Sequence, residues 1–235
     1  MQTYVGWDMR SGLLYLLPIG VLAGLVVLAV ILARRSLANG AALLTPRRLV
    51  EGYLFSVFLV TMLLASSGIA DLTRAAIARM TGLEVSYRPQ PVFDESRKSD
   101  EPQPLFKPKY EYDSKAPRRD YLSGSAYLSV GIILGMLHLL ALRRLGRSES
   151  LASSPVYRLF LIIGLVIYTI AVLVFAVGSV RDLLLYRYAE LPPVSLWYER
   201  PVPGDEAAGL AGYLPFWGYL VARFLRYAQP HATPS

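Results

Sequence analysis

Four stretches of this chain, Leu13 to Ala33, Gly52 to Ala70, Tyr121 to Leu142 and Leu159 to Val180, contain no Asp, Glu, Lys or Arg. A helix rises about 1.5 Å per residue, so roughly 20 uncharged residues carry a backbone across about 30 Å of hydrocarbon. Lipid offers nothing to a bare N–H or C=O, and a helix is the one single-segment structure that satisfies all of them internally. The expected fold class is therefore all-α, a polytopic transmembrane helical bundle. The composition agrees, with 54% hydrophobic and 17% charged residues and a mean hydropathy of +0.40. A fifth uncharged stretch, Ala207 to Ala222, is shorter and holds Pro215. It reads as a fifth span, with a helix lying in the interface as the alternative. Met1 to Arg10 lacks the basic lead-in of a cleavable signal, and the first apolar run ends in Arg34-Arg35, so that span reads as retained.

Charge placement sets the expected orientation. Arg34, Arg35, Arg47 and Arg48 follow the first span, and Arg143, Arg144, Arg147 and Arg158 follow the third. Short Arg-rich links face the cytoplasm, so the N-terminus and the long polar segment between the second and third spans fall outside. If Ala207 to Ala222 spans, Arg223 and Arg226 also reach the cytoplasm. The implied organisation is a first hairpin over 1–82, an extracytoplasmic polar loop over 83–120, and a second hairpin over 121–187. Residues 188–235 then hold an extracytoplasmic link, the fifth span and a polar tail. The expected location is a bacterial cytoplasmic (inner) membrane. Tyr53, Tyr121, Tyr157, Tyr186 and Tyr188 lie near span ends, where amphipathic rings favour the headgroup level.

The two halves match at an offset of about 110 residues, the signature of a repeat. Gly20-x-x-x-Gly24 corresponds to Gly131-x-x-x-Gly135, Arg34-Arg35 to Arg143-Arg144, Thr45-Pro46 to Ser154-Pro155, and Gly68 and Asp71 to Gly178 and Asp182. Missing side chains at Gly20, Gly24, Gly131 and Gly135 let helix backbones approach closely in lipid, so these glycines are expected on packing faces. Thr45-Pro46 and Ser154-Pro155 read as an N-cap followed by proline at the first helical position, where its absent N–H is not missed. Asp71 and Asp182, beside Arg74 and Arg181, are expected to form ion pairs at the headgroup level. Both hairpins start outside, so the repeat is parallel, unlike the inverted repeats of many transporters.

The segment Gly131-Ile-Ile-Leu-Gly-Met-Leu-His138, closed by Arg143-Arg144 and followed by Tyr157-Arg158-Leu159-Phe160, resembles a bacterial family of multi-span membrane proteins of unknown function. In that family repeated hairpins pair a Gly-Pro-x-Trp-x-x-His-like helix with an Arg-Tyr-like start. Pro215-Phe216-Trp217 is similar to the corresponding piece of another copy. The first of these lacks the Pro and Trp, and Tyr219 stands where His138 aligns. The resemblance implies repeated transmembrane hairpins and transfers no activity.

Candidate chemistry is sparse. His138 is the one histidine within a span, so it is the candidate ligand for a haem or pigment. A biaxial haem site needs a second strong ligand, and His231 lies in the polar tail. Glu51 opens the second span at the same face, which makes a Glu–His pair geometrically possible. Scattered hydroxyls within spans, Ser56, Thr61, Ser66, Ser67, Ser129, Thr169 and Ser179, can all be satisfied by backbone or neighbouring helices, and no span holds a charged group deeper in the bilayer for a proton relay. The chain lacks the His-Glu-x-x-His, Gly-x-Ser-x-Gly and glycine-rich phosphate-loop patterns, which points away from an enzyme. It has no cysteine, and two histidines leave little for a metal. The basic residues of the polar loop are balanced by acids, which argues against nucleic acid as a partner. The expected partners are the bilayer and other membrane subunits, with no required cofactor and with lipid or pigment as possible passengers. The expected function is an accessory, non-catalytic subunit of a larger membrane assembly, for which an energy-transducing complex is one candidate. The alternative is a free-standing carrier or sensor of a small apolar ligand.

Overall fold

A computed structural model describes residues 45–92, 109–145, 154–189 and 200–228. The span expected over Leu13 to Ala33, with Gly20 and Gly24, lies outside the described residues, as do His231 and the middle of the polar loop. What is described is mostly helical: α1 (Pro46–Thr81), α2 (Leu83–Ser86), α3 (Ala116–Leu145), α4 (Pro155–Tyr188) and α5 (Pro203–Ala228). Two three-residue strands, β1 (Gln90–Val92) and β2 (Lys109–Glu111), pair antiparallel with Pro91 opposite Tyr110.

Three of the helices, α1, α3 and α4, are long and apolar enough to cross a membrane. The chain is thus a membrane protein by the length and composition of its helices. Helix α5 has 26 residues and runs through Pro215, a length of about 39 Å, but it is not apolar enough to join the other three.

The helix starts follow local chemistry. Pro46 opens α1, and the Arg48 N–H donates to Thr45 Oγ1 at 3.4 Å, the geometry of an N-cap. Pro155 opens α4, but the Ser154 hydroxyl donates to Glu51 at 2.7 Å. The turn from α1 to α2 uses Gly82 at φ 104°, a region that side-chain-bearing residues rarely adopt. Sequence shows no sustained period from Leu83 to Asp120, yet α2, β1, β2 and the first turn of α3 form there. Elements of three or four residues are too short to leave a periodic signature. Long-range contacts hold them, among them the Tyr87 hydroxyl donating to Asp120 at 2.8 Å.

Two compact units divide the chain. In the smaller, the described residues are 45–60, 137–145 and 154–160. Its core is aromatic, with Phe55 stacked on Phe160 at 4.9 Å and close to Tyr157 at 5.5 Å, and with Leu142 buried. In the larger unit, the Thr61–Thr81 part of α1 packs antiparallel to α3. The residue pairs run in opposite order, Gly131 against Thr61 and Ala65, Gly68 against Gly124 and Leu128, and Asp71 against Ser123. Helix α5 is likewise antiparallel to α1 and to α4. Gly212 faces Ser66 and Ala70, while Trp217, Gly209 and Glu206 face Thr169, Phe175 and Gly178 in turn. Burial follows this arrangement. The apolar stretch of α1 is 56% buried, that of α4 28% and that of α3 only 11%.

Candidate functional site

The densest polar chemistry of the larger unit gathers at one end of its helices. Arg74 lies one turn past the uncharged run of α1, where its guanidinium reaches two other helices. Nε and Nη2 both meet Asp120 Oδ2 at 2.5 Å, and Nη1 meets Asp205 Oδ1 at 3.0 Å. The Tyr87 ring lies 5.1 Å under the guanidinium carbon, and its hydroxyl shares Asp120 Oδ2. One forked cation thereby ties α1 to α3 and α5, a geometry that suits arginine because its donors are held in a fixed plane. Burial alone would weaken the hold of Arg74 on its proton. The Asp120 hydrogen bond and charge, with Tyr87 and Asp71, outweigh it and push its pKa up. Burial also raises the Tyr87 pKa, reinforced by the bond to Asp120 and its charge, so this phenol remains a donor.

Asp71 accepts a hydrogen bond from Ser123 at 3.2 Å. Asp182, buried at the same end of α4, accepts the Val202 N–H at 3.1 Å and so fixes the entry to α5. Arg181 stands 3.9 Å from Asp182, with its side chain 73% exposed. Of the four residues expected to pair at the headgroup level, Arg74 is thus joined to Asp120 and Asp205, and Arg181 is in loose contact with Asp182. In the last turn of α4, past its uncharged run, burial raises the pKa of Tyr186, followed by the charge of Glu84 in α2, Tyr112 and a hydrogen bond to Glu84.

A second polar layer lies midway along the larger unit and is uncharged. The Ser66 and Tyr168 hydroxyls meet at 3.0 Å, both fully buried, and Ser67 meets the Tyr213 hydroxyl at 3.4 Å. The Trp217 indole donates to Thr169 at 3.0 Å. Around them Tyr168, Tyr213, Phe175 and Phe216 form an aromatic chain with centroids 5.3–6.0 Å apart. In an apolar medium such hydrogen bonds hold helices together without the cost of a buried charge. Tyr168→Phe is expected to cost about 1 kcal/mol. A lowered midpoint of unfolding in mixed detergent would register the loss.

In the smaller unit Glu51 is buried and accepts from Arg47 Nε at 3.2 Å and from Ser154. His138 is half-buried, with its ring 6.3 Å from that of Tyr53. In the larger unit, Gly131 lies where a Cβ would come within 3.0 Å of Ala65 and Thr61, and Gly135 is buried. Sequence reasoning did not find Asp120, Asp205 or Tyr87. The usable signal was that Asp120 stands at the edge of an uncharged run, as Asp71 does, and Asp205 one residue outside another. Among the described residues no group of three or more His, Cys, Asp or Glu is arranged to hold a metal.

Chemically, the charged layer is a clamp between helices and the hydroxyl layer an adhesive. The polar groups in both are engaged with one another. No family model, curated protein or solved structure matches this chain.

Proposed function

We infer that this chain is an accessory, non-catalytic subunit of a larger membrane assembly, with α5 as a further crossing. The observation that carries the reading is the uneven burial of the apolar helices. Helix α1 is the covered centre, whereas α3 leaves Leu122, Val130, Ile133, Met136 and Leu140 exposed along its length. A helix with so little of its apolar surface covered by the other described residues suits packing against further helices in lipid. The Arg74 clamp and the hydroxyl layer support the subunit reading, because both consume their polar groups in holding helices together. The antiparallel run of α5 along α4, with Leu220 fully buried, supports a crossing that returns toward Arg223 and Arg226. In this reading the Arg74 end is extracytoplasmic and the Glu51 end cytoplasmic, in a bacterial inner membrane.

Mild-detergent extraction of the tagged chain from its native membrane, followed by native mass spectrometry, tests the proposal. Co-elution with other membrane proteins at fixed stoichiometry is expected. A lone chain or homo-oligomer would overturn it and favour a carrier or sensor of a small apolar ligand. Topology has its own test, since a chain without cysteine accepts single labelling sites cleanly. Lys115→Cys is expected to react with an impermeant maleimide in intact cells, and Ala228→Cys only after the membrane is opened. Reaction of Ala228→Cys in intact cells would end the five-span reading.

A further inference from the structure

The end of the smaller unit, where α1 and α4 begin and α3 finishes, is one-sided in charge. Among its described residues Arg47, Arg48, Arg143, Arg144 and Arg158 stand against one acid, Glu51. The Glu51 side chain is 5% exposed and already accepts from Arg47 and Ser154. The adjoining segments of sequence do not restore the balance. Residues 146–153 add Arg147 and Glu149, which cancel, and the chain holds Arg34 and Arg35 but no acid between Asp8 and Glu51.

This basic patch borders the apolar layer. Leu137 and Leu140 of α3 are exposed, and Arg143 and Arg144, also exposed, follow Leu140 by three and four residues, about one helical turn. On α1 the exposed Tyr53 stands beside His138, the placement of a ring at the headgroup level. Arginine stems cover apolar surface while their heads reach into the headgroup layer. Every cation of the patch is an arginine, although the chain also has four lysines, all between residues 98 and 115. A guanidinium fork matches the oxygens of a phosphate, and Leu137 and Leu140 turn these forks toward lipid.

We propose that this end of the smaller unit is a binding surface for anionic phospholipid headgroups, with Arg143 and Arg144 on their phosphates. The surface rests on the membrane-spanning reading of α1, α3 and α4 and not on the subunit reading. Each arginine near an anionic membrane surface favours binding about fivefold.

The test is native mass spectrometry of the full chain released from nanodiscs of phosphatidylglycerol mixed equally with phosphatidylcholine. Retention of phosphatidylglycerol over phosphatidylcholine is expected, falling about fivefold for each arginine removed in Arg143→Gln and in the double variant with Arg144→Gln. The matched control is Arg118→Gln with Arg119→Gln at the opposite end of α3, where Arg119 is paired with Asp113, and it is expected to keep the preference of the parent. Full preference in the Arg143 and Arg144 double variant, or an equal fall in the control, would overturn the surface. So would a double variant that keeps its lipid but loses a co-purifying protein, since the patch would then face an acidic partner. A chain that never enters the membrane fraction overturns the spanning reading and this surface with it, whereas an inserted chain with no lipid preference overturns this surface alone.

Discussion

Replacing Gly212 with Leu is expected to cost about 3 kcal/mol or more and to leave little monodisperse protein after mild heating in detergent. A Cβ at this position would overlap the Ser66 carbonyl oxygen and come within 3.0 Å of the Ala70 backbone nitrogen. Backbone atoms of a packed helix cannot yield as a side-chain tip can, so α5 would have to move away from α1. That movement would also pull Tyr213 from Ser67. Gly218, six residues further along α5, is the matched control, because a Cβ there meets nothing within 4 Å. Gly218→Leu is expected to behave like the parent chain. Identical behaviour of the two variants would show that α5 does not pack on α1 in the membrane.

The second large effect is expected at Arg74. Arg74→Leu removes the cation shared by Asp120 and Asp205, whose side chains are only 14% and 15% exposed. Breaking such a pair from one side leaves carboxylates partly buried without a counter-charge, and a loss of about 3 kcal/mol follows. Arg74→Lys is expected to recover only part of it. An ammonium is a compact charge and does not reproduce a fork that meets Asp120 through Nε and Nη2 and Asp205 through Nη1. Guanidinium-specific recovery, read as the unfolding midpoint in mixed detergent, separates this clamp from simple neutralisation. Equal stability of the Lys and parent proteins would show that charge alone matters.

Particular residues show how far the sequence could be read. The three long helices were legible because both signals behind them are local. An uncharged run of about 20 residues tells where the backbone must satisfy itself, and Thr45-Pro46 and Ser154-Pro155 mark where two of the helices begin. Gly131 was legible as a small residue in a Gly-x-x-x-Gly pair. The other close glycine contacts were not, since Gly124 meets Gly68, Gly209 meets Phe175 and Gly212 meets Ser66 only once four helices are side by side. Asp71 and Arg74, and likewise Arg181 and Asp182, were natural partners by proximity in the chain. Arg181 does stand 3.9 Å from Asp182, and Arg74 also reaches Asp120 and Asp205, 46 and 131 residues away.

By itself, then, the sequence determined which segments must be helical in lipid and which charges stop them at the surface, because hydrocarbon penalises every unpaired backbone group and every bare charge within a single segment. Tertiary structure alone decided who meets whom. The pairing of Arg74 with two distant carboxylates, the joining of Ser66 to Tyr168 and the seating of Gly212 on α1 depend on helix rotation and register. Those are set by close packing between segments, for which the linear order of residues carries no local signal.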